Sequence, residues 1–159
     1  MQDKLEFPWQ QAAIVEHSQR LLSSFEHWTG RKLLAVEGTS EAIAQALFEA
    51  PFVVTSHGTE ADPILNYGNQ KALELWQMDW HQFTQTPSRY TAEPMQREGR
   101  ARLLEQARQH GFISNYQGIR ISSTGQRFRI QDVIVWDVLD ETNTRCGQAA
   151  TFSSWVFLE

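Results

Sequence analysis

A chain of 159 residues, 41% hydrophobic and 21% charged, has the material for one buried core and is not composed like a disordered protein. Its formal net charge of −5 argues against a protein whose main task is gripping nucleic-acid phosphates, so no direct nucleic-acid contact is expected. Cys146 is the one cysteine, which excludes an intramolecular disulfide and a cysteine-built zinc cage. No run approaches the roughly 18 apolar residues of a membrane span, so no membrane partner and a cytoplasmic location are expected.

Pro8 can open a helix, and Ala12, Val15, Leu22 and Phe25, with Ile14, Leu21 and Trp28 alongside, recur at helical spacing as far as Thr29-Gly30. This predicts an amphipathic lead-in helix over 8–29 and a helical extension over 1–39. Thr39-Ser40-Glu41 is a second helix start, and Ile43, Ala46, Leu47 and Ala50 carry that helix to Pro51. The main domain is expected over 40–159.

From Phe52 the pattern changes. Phe52-Val53-Val54-Thr55 and Ile64-Leu65-Asn66-Tyr67 are β-rich runs closed by Ser56-His57-Gly58 and Gly68-Asn69. Ala72, Leu75 and Trp76 restore helical spacing, irregular short helices follow through Pro87, and a longer helix runs from Pro94 to His110, where Gly111 can cap it. Arg97, Arg100, Arg102 and Arg108 on that helix read as a solvated face, with a polyanion-facing patch as the alternative. Three long strands come last, Phe112–Ser122, Arg127–Asp140 and Gln148–Phe157, separated by Ser123-Thr124-Gly125-Gln126 and Glu141-Thr142-Asn143-Thr144. Cys146 falls in the second turn as a surface thiol.

Along the middle strand, strict alternation puts Phe128, Ile130, Asp132, Ile134, Trp136 and Val138 on one face, expected to point inward, and Val133 and Val135 on the other. Asp132 would then be a carboxylate on an apolar face and would need a partner or a ligand. Arg89 and Arg120 are the candidates, because a guanidinium matches a carboxylate bidentately. Such an arginine could hold an acidic ligand. An internal ion pair, or a β-bulge that turns Asp132 outward, is the alternative.

The element order, strand-strand, short helices, longer helix, three long strands, resembles a PAS domain over 40–158. The fold class is therefore α+β, a five-stranded antiparallel sheet with short helices over one face. The segment from Ile64 to Trp76 is similar to the second strand and following helix of that fold. Pro87-Ser88-Arg89-Tyr90-Thr91-Ala92-Glu93-Pro94, Tyr116-Gln117-Gly118-Ile119-Arg120-Ile121, Gly125-Gln126-Arg127-Phe128-Arg129-Ile130 and Gly147-Gln148-Ala149-Ala150 with Trp155 resemble the MEKHLA family. These are PAS-like proteins of cyanobacteria, algae and plants. In plants the domain resembles the C-terminal part of class III homeodomain leucine-zipper regulators, and this chain has neither homeodomain nor zipper.

The resemblance implies a sensing or interaction role and supplies no catalytic residue. The expected cavity has Arg89, Arg120 and Asp132 as polar anchors and Trp76, Tyr90, Tyr116, Trp136 and Phe152 as walls, with Ser154 and Trp155 nearby. No cofactor is indicated. Flavin–cysteine photochemistry needs a cysteine near Arg89, and none lies there. His17, His27, His57, His81 and His110 share no spacing that would pair two on one helix turn, so a paired metal site is not expected, and haem ligation by His110 is the weaker reading beside a histidine that complements the dipole at a helix C-terminus. Two rivals stand beside the metabolite-binding module. One is a filled-core interaction domain that pairs with a protein partner or a second copy through helix 8–29 and the strand face of Val133, Val135 and Leu139. The other is an enzyme using Asp132 as base near His57 or His81.

Overall fold

The computed structural model describes residues 7–159. A 3-10 turn at Pro8–Gln10 leads into α1 (Ala12–Thr29), which ends at Gly30 in the left-handed conformation (φ 72°), and α2 (Ser40–Phe48) begins where Thr39 accepts a hydrogen bond from the Ala42 N–H. Strands β1 (Val53–His57) and β2 (Leu65–Gly68) follow. Then come α3 (Gln70–Trp76), α4 (Trp80–Phe83), a 3-10 turn at Ser88–Thr91 and α5 (Pro94–His110). The chain closes with β3 (Phe112–Ile121), β4 (Arg127–Leu139), β5 (Arg145–Phe152) and β6 (Ser154–Phe157). Among the described residues no helix is long and apolar enough to cross a membrane.

The strands form one antiparallel sheet in the order β2-β1-β5-β4-β3, and β6 continues beyond β5 to pair with β4. The final expected strand, Gln148–Phe157, is thus two strands broken at Ser153. Cys146, expected in a turn, lies within β5 and is half-buried against the outer core, where burial pushes its thiol pKa up.

Both faces of the sheet are apolar, so both are covered. One core gathers Val53, Leu65, Leu75, Trp76, Phe83, Phe128, Ile130, Val133, Val135 and Phe152 beneath α3, α4 and α5. The other gathers Leu21 and Phe25 of α1 and Leu47 of α2 against Val54, Tyr67, Trp136, Val138 and Ala149. Helix α1 is also tied down by polar contacts. The His17 and Ser56 side chains meet at 2.9 Å, Arg20 donates twice to Glu141 at 2.8 Å, and the Trp28 indole N–H donates to the Asp137 carbonyl at 2.8 Å. The sheet face expected to pair with a partner is therefore occupied in part by the chain's own helix, and Val133 and Val135 lie on the opposite side. Gly111 serves twice here: its φ of 87° suits glycine, and a Cβ there would sit 2.3 Å from the Trp28 ring.

Asn69 holds the two layers together. Its fully buried side chain accepts from the Val54 and Ala72 N–H groups at 3.0 and 3.2 Å and donates to the Leu47 and Phe52 carbonyls at 3.2 and 2.8 Å. One amide thus caps α3, closes α2 and fixes the edge of β1. Removing it strands buried backbone groups as well as a helix cap, so Asn69→Ala is expected to cost about 3–5 kcal/mol in urea unfolding. Asn69→Asp, which sets a carboxylate oxygen against the Leu47 and Phe52 carbonyls in a buried site, is expected to cost at least as much at pH 7.

Candidate functional site

The site arises from a change of phase in β4. The ladder with β3 pairs Ile113 with Val135, Tyr116 with Val133 and Gly118 with Ile130, so Asn115 is an extra residue on β3 and Asp132 an extra residue on β4. Both adopt left-handed backbone, φ 60° and 53°, which Asn and Asp tolerate better than most side chains. Before Asp132 the even-numbered Phe128 and Ile130 face the short helices. After it the odd-numbered Val133 and Val135 do so, while Ile134, Trp136 and Val138 turn to the other core. Ser153 performs the same service on the neighbouring strand, which lets Phe152 and Trp155 share a face, their rings 5.9 Å apart.

The residues aimed at the helices do not fill the space. A small cavity of about 50 Å3 remains. Its apolar wall includes Leu65, Trp76, Ile130, Val133, Val135 and Phe152. Its polar lining includes Arg120 and Tyr116 from β3, Arg100 from α5, His57 from β1 and Gln148 from β5.

Arg120 is 6% exposed and has no carboxylate partner among the described residues. Its guanidinium donates to the Tyr116 hydroxyl and to the Ile119 carbonyl, both at 2.9 Å, and lies 5.5 Å from the Tyr116 ring centre. Gly118 makes this possible, since a Cβ there would come within 2.5 Å of the Tyr116 hydroxyl and 2.8 Å of the Arg120 guanidinium. Arg100 also lines the cavity and makes no hydrogen bond or ion pair among the described residues. Burial, and then the charge of Arg120, pushes its pKa down to about 9. No aspartate or glutamate lines the cavity. The nearest buried acid to the mouth, Asp137, accepts from Arg145 at 3.1 Å.

His57 completes the polar set. Its Nδ1 is 3.0 Å from the Gly58 carbonyl, which can only accept, so Nδ1 carries the proton and Nε2 is a lone pair. That Nε2 is buried without a partner among the described residues, as is the Trp76 indole N–H. Burial lowers the His57 pKa to about 4, with Arg100 and Arg145 adding to it against the Gly58 hydrogen bond.

Residues 15–157 match the family model described as the MEKHLA domain. The chain belongs to the MEKHLA family. No curated protein matches it. Solved structures similar to this MEKHLA domain include the PAS domain of a protein from Colwellia psychrerythraea, at 12% identity and TM-score 0.63 over 74% of this chain and 95% of that one. A light-oxygen-voltage domain studied with a flavin analogue is similar at 12% identity and TM-score 0.58, over 74% and 85% of the two chains. A PAS domain from a two-component sensor histidine kinase is similar at 11% identity and TM-score 0.55, over 72% and 91%. The fold is that of PAS and light-oxygen-voltage domains.

Of the side chains expected at the site, the MEKHLA fold brings together Trp76, Tyr116, Arg120 and Phe152. The other four lie elsewhere. Asp132 is exposed in a shallow groove with Arg31 and Lys32 on the outer face, because the bulge turns it away from the cavity. It therefore pairs with neither Arg120 nor Arg89, and it cannot serve as a base beside His57. Trp136 is fully buried but packs edge-on against Phe25 of α1, ring centres 5.0 Å apart. Arg89 is exposed and paired with Asp62 at 3.0 Å, with Tyr90 beneath its guanidinium at 4.3 Å. His81 and His110 are exposed, and no cluster of three His, Cys, Asp or Glu suited to a metal occurs among the described residues.

Among the polar lining residues, Arg100 and Gln148 carry no sequence assignment to the cavity, and His57 carries one only as the partner of Asp132 in the enzyme reading. Arg100 was assigned to a solvated face, yet it stands four and seven residues before Leu104 and Ala107, the apolar positions of α5, so helical spacing puts all three on one stripe. His57 follows four β-forming residues and looks like the end of a strand, which it is.

His57 and His17 give the site a pH signature. Both have pKa values near 4 in the folded chain, chiefly through burial, against 6.5 when exposed. The unfolded chain binds more protons between those values, so stability is full above pH 6.5 and falls as pH drops toward 4, by on the order of 3 kcal/mol per histidine. Unfolding free energies measured from pH 7.5 to 4.5 are expected to show this fall, and His57→Gln is expected to remove about half of it.

Proposed function

We propose that this chain is a non-enzymatic sensor module whose cavity binds a small metabolite and whose α1-covered sheet face passes occupancy on through protein contacts. The observation that carries this reading is the mismatch inside the cavity. The His57 Nε2 and the Trp76 indole N–H are buried without partners among the described residues, Arg100 is half-buried where it lines the cavity and makes no hydrogen bond or ion pair among them, and Arg120 has only neutral partners. Buried polar groups are nearly always hydrogen-bonded, and leaving one unpaired costs about 1–3 kcal/mol. A filled-core interaction domain has no need of such groups, whereas a binding site left without its ligand requires them.

A route for the signal lies in β4. Its cavity-facing Val133 and Val135 alternate with Ile134 and Trp136, and Trp136 touches Phe25 of α1. A ligand that shifts the inner side chains moves the outer ones by the same backbone, and α1 lies on them. Arg89, Tyr90 and Asp132, at the surface, belong in this reading to contacts with a partner protein or a second copy. A cysteine adduct of the flavin type is not part of it, because Cys146 lies on the outer face.

Native mass spectrometry of freshly purified protein, beside its denatured spectrum and an absorbance scan, tests the reading. A mass excess that disappears on denaturation is expected. A bare mass, together with a crystal structure showing the cavity closed by rearranged side chains, would return the chain to the interaction-domain reading.

A further inference from the structure

Two guanidinium groups face one small cavity whose lining contains no acid. A pair of like charges in a partly apolar enclosure is unfavourable twice over, through lost hydration and through mutual repulsion. Of the nine other arginines, six have a carboxylate among the described residues: Arg20 with Glu141, Arg89 with Asp62, Arg102 with Glu98, Arg108 with Glu105, Arg127 with Glu93 and Arg145 with Asp137. Arg31, Arg97 and Arg129 have none, but they do not line the cavity, and Arg31 and Arg97 lie over the rings of Phe25 and Tyr90. Arg100 and Arg120 are the unpaired arginines that face the cavity, and the component missing there is negative charge.

We infer that the cavity's ligand is a small organic carboxylate, its head group between Arg100 and Arg120 and its carbon body against Trp76, Val133 and Phe152. The inference rests on the ligand-binding reading above and narrows it to one chemical class. A planar carboxylate offers the two parallel acceptors that a guanidinium fork matches. Phosphate sites, by contrast, are commonly built from backbone N–H groups at helix N-termini and glycine-rich nests, and here the donors are side chains, one near the end of β3 and one in the middle of α5. The mostly apolar remainder of the lining suits carbon rather than a hydrated inorganic ion.

The approach to the cavity has the same polarity. A surface groove between α5 and the segment 57–63 shares His57, Arg100, Leu104 and Gln148 with the cavity and also carries Arg89, Arg97, Arg108 and Arg145 against Asp62, Glu98 and Glu105. Arg100 stands where the groove meets the cavity. Such a positive mouth on a protein of net charge −5 steers anions inward. Burial first, and the charge of Arg120 second, lower the pKa of Arg100, and an anion beside it would oppose both.

The test is isothermal titration and thermal unfolding of the full chain at pH 7, after removal of any co-purified ligand, with benzoate, hexanoate, benzamide and inorganic phosphate as probes. Benzoate or hexanoate is expected to bind and raise Tm, benzamide to bind at least tenfold more weakly, and phosphate not to compete. Arg100→Met and Arg120→Met are each expected to weaken carboxylate binding at least tenfold, with the ligand-free Tm unchanged or higher because an uncompensated buried charge is gone. Arg120→Lys, which keeps the charge and loses the fork, should retain the fold and bind with intermediate affinity. Benzamide binding as well as benzoate, phosphate displacing it, carboxylate binding unaffected in either Met variant, or no carboxylate response at millimolar concentration would each overturn the assignment. If native mass spectrometry still shows a bound molecule in that event, the cavity reading stands and only the ligand class is lost. If it shows none, both fall.

Discussion

A β-sheet that is apolar on both faces has to be covered on both faces, and the rest of this structure follows from that constraint. Helices α3, α4 and α5 cover one side and α1 with α2 the other, and the segments joining these layers must pass the sheet edge without leaving backbone groups unpaired. Asn69 meets that requirement at the crowded corner where α2 ends, β1 begins and α3 starts. Its four hydrogen bonds use the full capacity of one side-chain amide, so no other residue type of similar size could replace it. The position of α3, and with it of Trp76 in the cavity wall, depends on this amide.

The second dependence is the slip in β4. With strict alternation the strand would have sent Asp132 and Trp136 to the same side, leaving a charge in the core and no room for a cavity. The extra residue at 132 divides the strand into a half that packs by even numbers and a half that packs by odd ones. Each half then presents its apolar residues to the side that α3–α5 cover, and Asp137, next in the odd phase, is buried there against Arg145 and Gln148. The compensating extra residue at Asn115 keeps β3 in step beyond the slip, so Tyr116 and Arg120 still face inward.

Much of the fold was legible because it is written locally. The helix start at Thr39, the helix ends at Gly30 and Gly111, and the turns at 123–126 and 141–144 depend on residues within a few positions, and they appear where the spacing put them. Trp76, Tyr116, Arg120 and Phe152 line the cavity, and on β3 the extra residue falls before Tyr116, so Tyr116 and Arg120 share a face by simple alternation. Asp132 and Trp136 were misplaced because facing was counted through a bulge, and a one-residue slip reverses every side chain beyond it. The slip had a visible mark: a carboxylate in the middle of an otherwise apolar alternation is better read as the point where the phase changes. Arg100 was missed for a different reason. An arginine on a polar helix is normally solvated, and its inward aim comes from the packing of α5 over the sheet, which composition does not report.

The two unpaired arginines also bear on why the core was not simply filled. Apolar side chains at 100 and 120 would remove a charge repulsion and add packing, so a chain selected for stability alone would be expected to carry them. Retaining cations there makes the ligand-free state the weaker one and assigns part of the domain's cohesion to whatever anion enters. Occupancy would then tighten β3, β4 and α5 around the cavity. Through Trp136 and Phe25 the same strand reaches α1, so the helix that covers the far face of the sheet rests on side chains whose backbone also carries the cavity wall.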